Sequence, residues 1–313
     1  MRLSYQVLRP PRREILEVRG LRHRLTWWGE RTEQPIVLLH GFQDCGDTWQ
    51  FMVDRLPPSW SCVAPDWRGF GGTQWAEGGY WFPDYLADLD ALLDVLVPNG
   101  RARVVGHSMG ANIATIYAGV RLQRLSWLAN LEGFGLPRAT PELAPDRYAR
   151  WMDQVRQPPR VTRYPSVKHL AANLIRRNPR LTAERAEYVA RAWSIALEDE
   201  GGRHGGDGND AAAGSGAVQL RFDPRHRRVN PVLYRIEEAQ ACWSRIEIPV
   251  LILIGAESPF RIHRDDREPN QARMFSLFRD LQIQTVPDVG HMMHLEAPET
   301  IAAHLVDFER AHP

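Results

Sequence analysis

The reactive chemistry of this chain centres on a serine held between two glycines. Gly106-His107-Ser108-Met109-Gly110 follows the β-branched run Arg103-Val104-Val105 and runs straight into Ala111 to Tyr117, a helix-compatible segment. G-x-S-x-G at a strand-to-helix junction is the context of a nucleophile elbow, whose strained serine is lifted clear of a sheet. The glycines are required because the helix must pass close behind the strand. A serine hydroxyl attacks poorly until a base removes its proton, and that base needs an anion to hold its tautomer and offset its charge. His291 is the candidate base, because it follows Gly290 in the loop after the last predicted strand. His294 is assigned to capping or contacting the segment that follows it. His40 and His107, each beside a glycine, are assigned to structural hydrogen bonds. Two carboxylates satisfy the chain order serine, acid, histidine: Glu132 after Leu125–Leu131, and Glu257 after Val250–Ile254. Acyl transfer also needs two backbone donors for a developing oxyanion, and Met109 and Phe42 stand where they can supply them. Asp66, in a glycine turn, reads as a carboxylate that shapes its loop.

Positioning these groups requires a sheet whose carboxyl edge gathers them. Glu14–Val18 and Leu21–Trp28 flank Arg19-Gly20 as an opening hairpin. Pro35 to His40 is a continuous apolar run, the pattern of a strand covered on both faces. Asp47–Leu56 reads as a short helix, Ser61–Asp66 as a strand, and Asp84–Val97 as a helix with Leu86, Leu89, Leu92, Leu93 and Leu96 at helical spacing. The elbow strand and its helix follow, then Leu125–Leu131. The β-α alternation breaks near Gly133 and resumes at Pro249–Gly255, with a helix around Gln271–Arg279, the strand Gln282–Val286 and a closing helix Pro298–Arg310. The fold class is therefore α/β, a mostly parallel doubly wound sheet. Residues 1–132 and 246–313 form the core domain, and 133–245 form a helical insertion without strands of comparable quality. Within that insertion, Glu198–Gly216 is glycine-rich and polar and reads as a mobile loop.

The 313 residues carry 39 basic and 38 acidic side chains, a formal net charge of +1 that argues against nucleic acid as a partner. Cys45, Cys62 and Cys242 are scattered, which argues against a disulfide framework and a thiolate metal site and for a reducing, cytoplasmic compartment. No secretory leader is visible, and no apolar run reaches membrane-spanning length. The expected partner is a small-molecule substrate. A homodimer is left open.

Over essentially its whole length the chain resembles the α/β-hydrolase superfamily, its serine hydrolase-like members in particular. The motifs that carry the resemblance are His40-Gly41-Phe42, Asp66-x-Arg68-Gly69-x-Gly71, Gly106-x-Ser108-x-Gly110 and Gly290-His291 through Pro298, with Asp223–Pro231 among the likenesses. The resemblance implies Ser108 as nucleophile, His291 as base, Phe42 and Met109 as oxyanion donors, and 133–245 as a cap over the pocket, with no cofactor or metal. Members with their acid after the penultimate strand read G-x-x-D there. This chain has Ser258 at the aspartate position, with Glu257 one residue early, and such a shift turns a side chain away. Other members, including a haloalkane-dehalogenase subgroup, place the acid where Glu132 stands, so Glu132 ranks ahead of Glu257. The implied activity is hydrolysis of a carboxylic ester or related acyl bond. Dehalogenation would need a carboxylate at position 108. A carbon–carbon hydrolase, a cofactor-free lyase, and a catalytically weak ligand-binding homologue are the alternatives.

Overall fold

The computed structural model describes residues 4–197, 216–260 and 275–313. Its framework is an eight-stranded sheet ordered β1-β2-β4-β3-β5-β6-β10-β11. The strands are β1 (Arg12–Val18), β2 (Leu21–Trp28), β3 (Ile36–Leu39), β4 (Cys62–Pro65), β5 (Ala102–His107), β6 (Leu125–Leu131), β10 (Val250–Gly255) and β11 (Leu281–Val286). The opening hairpin pairs antiparallel, and β2 pairs antiparallel with β4. Every pairing from β4 across to β11 is parallel.

The central strands are buried on both faces, so their side chains alternate between two cores. Val37, Leu39, Val63, Val104, Leu128, Val250 and Ile252 face one core, shared with α2 (Phe82–Leu96), α3 (Met109–Val120) and α7 (Ile236–Trp243). Ile36, Leu38, Val105, Trp127, Ala129, Leu131, Leu251 and Leu253 face the other, which contains α1 (Gln50–Val53) and α9 (Pro298–Ala311). From β3 the chain steps to β4 on one side and then to β5 on the other. This reversal opens a crevice at the carboxyl ends of β3 and β5, where ligands bind in open α/β sheets.

Between β6 and β10 the chain leaves the sheet through α4 (Ala144–Arg156), α5 (Val167–Arg177), α6 (Ala183–Ala192) and α7. It also makes a small antiparallel sheet from β7 (Arg163–Tyr164), β8 (Ser194–Ala196) and β9 (Val218–Leu220), in the order β7-β9-β8. Strands of two and three residues are too short to leave a period in the sequence. Nearly all of Glu198–Gly216, and residues 271–274 of the helix expected at Gln271–Arg279, lie outside the described residues, and after Phe275 the rest of that span is turn and bend. Among the described residues no helix is long and apolar enough to cross a membrane.

Candidate active site

The elbow is built by close approach. Ser108 adopts φ 51° and ψ −112°, a conformation that L-residues rarely occupy, between the end of β5 and the first turn of α3. Its amide donates to the Leu131 carbonyl at 2.8 Å, and its carbonyl accepts from Asn112 at 2.9 Å. A Cβ on Gly106 would lie 2.6 Å from the Ala111 backbone, and one on Gly110 would strike the Leu39 carbonyl. Only glycine lets α3 pack this tightly against β5 and β3. The loop after β3 runs directly alongside, since a Cβ on Gly41 would be 3.2 Å from Ser108 Cβ.

The three groups proposed as nucleophile, acid and base come from three separate parts of the chain. Glu132 follows β6 with φ 63° and is buried, its amide donating to Leu253 of the adjacent β10 at 3.2 Å. Its Oε1 accepts the Gly255 amide at 2.6 Å. Its Oε2 accepts the Ser258 hydroxyl at 2.5 Å and lies 3.2 Å from His291 Nδ1. The structure thus brings Glu132, and not Glu257, to the histidine. Glu257 is half exposed and faces Arg180 at 3.9 Å. Ser258, at the position where the resemblance places an aspartate, instead holds Glu132 by a hydrogen bond.

His291 is steadied by its own loop. The Gly290 and Met292 amides donate to Glu296 at 2.6 and 3.2 Å, and Asn178 at the end of α5 donates to the same carboxylate. The ring packs 4.5 Å from Phe260 and 4.8 Å from His107, and its carbonyl accepts His107 Nε2 at 2.8 Å. Among the described residues no hydrogen bond joins Ser108 Oγ to the His291 ring, and such contacts often close only around bound substrate. Met109 opens α3 directly after the serine. Phe42 is exposed and packs edge-on against Phe70 at 5.5 Å.

His40 is structural, as expected. Its Nδ1 donates to the Gly41 carbonyl and its Nε2 accepts the Trp67 amide, while burial pushes its pKa down. His107 is likewise driven well below the ordinary value by burial. Asp66 accepts from the Gly46 and Gly72 amides and from Arg24, which shapes its glycine loop. The placement of His294 differs from the expectation. Instead of contacting the following segment, it is buried against Trp49 and reaches back to Asp44. The roles of Ser258 and Phe260 escaped the sequence reading because each acts through a contact distant in the chain, and that of Glu296 escaped it although two of its donors lie four and six residues away.

The chain matches the model of the alpha/beta hydrolase family over residues 36–304. It is 25% identical over 292 residues to a serine hydrolase-like protein of Danio rerio, covering 90% of this chain and 83% of that one. Among solved structures, a thioesterase domain from the curacin biosynthetic pathway superposes with a TM-score of 0.79 at 22% identity, covering 95% of this chain and 99% of that one. An esterase from Mycobacterium tuberculosis superposes with a TM-score of 0.68 at 17% identity, covering 96% of this chain and 92% of that one.

Proposed function

Because this chain belongs to the alpha/beta hydrolase family, we propose that it is a serine hydrolase that cleaves a carboxylic ester through an acyl-enzyme on Ser108. The observation that carries this reading is the buried Glu132 carboxylate 3.2 Å from His291 Nδ1, on the sheet edge that also bears the strained Ser108. Glu132 accepts a hydrogen bond from His291 Nδ1–H, which fixes the tautomer whose Nε2 lone pair takes the proton from Ser108 as Oγ attacks the carbonyl carbon. The amides of Met109 and Phe42 stabilise the tetrahedral oxyanion. The imidazolium returns its proton to the departing alkoxide, and water, activated by the same histidine, releases the acid.

Residues 133–245 serve as a cap that selects the small-molecule substrate. In support, Asn178 donates to Glu296, Arg180 to the Asp288 carbonyl, and Trp193 to Asp44, so the insertion is tied to the loops around His291 and Gly41. The test is labelling with a fluorophosphonate, followed by p-nitrophenyl esters of increasing acyl length and an acyl thioester. Ser108→Ala should lose both labelling and turnover while folding normally. Turnover within about tenfold of wild type would remove Ser108 as nucleophile.

A further inference from the structure

Three buried side chains behind the His291 loop converge and leave polar atoms without hydrogen-bond partners. Asp44, His107 and His294 are at most 3% exposed, and one ligand atom from each lies within 4.8 Å of the others. They come from the loop after β3, the end of β5 and α8 (Met293–Glu296). Asp44 Oδ1 is fully used, accepting from the Cys45 amide, Thr48 Oγ1 and Trp193 Nε1 at 2.7–2.8 Å. Asp44 Oδ2 has no hydrogen-bond partner, and neither do His107 Nδ1 or either nitrogen of His294. His107 donates from Nε2 to the His291 carbonyl, so its Nδ1 presents a bare lone pair. A side chain on Gly41 would come within 2.8 Å of that nitrogen, and glycine there keeps it open. Among the described residues, the ion pairs of Asp44 reach only His294, with Oδ2 3.4 Å from Nε2.

Burying a carboxylate is costly unless its charge is compensated, and so is each buried polar atom left unpaired. Even a protonated His294, with Nε2 3.4 Å from Asp44 Oδ2, leaves the lone pair of His107 Nδ1 without a donor. We propose that Asp44, His107 and His294 form a buried site for Zn2+ or a similar first-row divalent cation. Two imidazoles and one carboxylate are a borderline donor set, suited to zinc, nickel or copper and poorly suited to calcium or magnesium. Metal–ligand bonds of about 2.0–2.2 Å at tetrahedral angles put donors about 3.3 Å apart, close to the Asp44–His294 separation. The second nitrogen of His107 already donates to a backbone carbonyl, the arrangement that orients metal-bound imidazoles. That carbonyl belongs to His291, so a bound cation would brace the loop bearing the proposed base. The site does not depend on the role of Ser108.

The test uses chelator-treated protein titrated with ZnCl2 by calorimetry, and with Co2+ followed by visible absorption. Wild type should bind one equivalent, gain thermal stability and show intense four- or five-coordinate cobalt bands. Asp44→Asn and His294→Gln should each weaken binding at least about tenfold, while His291→Ala retains it. Absence of binding by wild type would overturn the site and leave a proton or a buried water as the occupant. Loss in His291→Ala alone, with both other variants unaffected, would overturn it in favour of metal at the His291–Glu132 pair. Should Asp44→Asn or His294→Gln fail to fold, the wild-type cobalt spectrum decides, and weak octahedral bands count against the proposal.

Discussion

Glu132 is held by two partners besides the histidine. The Gly255 amide and the Ser258 hydroxyl fix both oxygens, so the carboxylate meets His291 with its orientation already set. In the proposed mechanism such pre-positioning supplies the correct tautomer without reorganisation during the reaction. Glu132→Gln should therefore lower kcat by about 10⁴, because the amide can present an N–H where the histidine requires an acceptor. Glu257→Gln should leave kcat nearly unchanged, since its Arg180 partner is long-range and solvated. A severe loss in Glu257→Gln beside a normal Glu132→Gln would move the acid to the later loop. Ser258→Ala removes one of the bonds that aim Glu132 and should cost about 1–3 kcal/mol of transition-state stabilisation, seen in kcat more than in KM. Equal rates for wild type and Ser258→Ala would show that Gly255 suffices to hold the acid.

At the level of elements, the elbow depends on β5, β3 and α3 approaching more closely than side chains allow. Gly106 and Gly110 sit where a methyl group would enter neighbouring backbone. Gly106→Ala should destabilise the fold by about 1–3 kcal/mol or more, the usual cost of overpacking, and displace Ser108 with it. Gly78 offers a control, since a Cβ there meets nothing within 4 Å. Gly78→Ala should be neutral or slightly stabilising through the unfolded chain. Denaturant midpoints of the two variants give the comparison, and similar values would refute tight packing behind the elbow. Ser108 and Glu132 both have positive φ without being glycine, at the carboxyl ends of neighbouring strands. Strain at both points is concentrated on the proposed catalytic groups, and the flanking sheet carries it.

Across the whole molecule, buried histidines set the response to acid. Burial lowers the pKa of His23, of His40, and of His226, which falls to about 3 between the rings of Phe70 and Tyr80. Each is neutral in the folded chain and protonates near pH 6.5 once unfolded. The unfolded state therefore binds more protons below that pH, and stability falls as the solution is acidified. For His226 the window runs from about 6.5 down to about 3, with a loss of at most about 2 kcal/mol at pH 5. Asp47 and Asp223 act in the same direction at lower pH. Although burial raises both, Arg24 and Arg13 hold the carboxyl of Asp47 below the ordinary value, and Arg225 does the same for Asp223. Urea unfolding at pH 7 and pH 5 should show this decline, and His226→Gln should make it shallower. A profile identical to wild type in His226→Gln would contradict the assignment.

The α/β alternation, the order of strands in the chain and the glycine-framed serine were legible because each is a local pattern. Apolar runs specify doubly covered strands, and glycine spacing specifies an elbow, without reference to distant residues. The same kind of local pattern singles out His291, a histidine after a glycine beyond the last strand, as the proposed base. The choice between Glu132 and Glu257 was not, because each ends a strand and both fit the chain order. The pairing of β6 with β10 resolves the geometry, since it lays Glu132 beside Gly255 and Ser258 and within reach of His291. Likewise nothing in the order of Asp44, His107 and His294 joins them. They meet because parallel strands deliver three loops to one edge, where burial leaves their polar atoms facing one another. Local composition specifies which elements form. Which side chains meet depends on strand order and on the packing of loops between them.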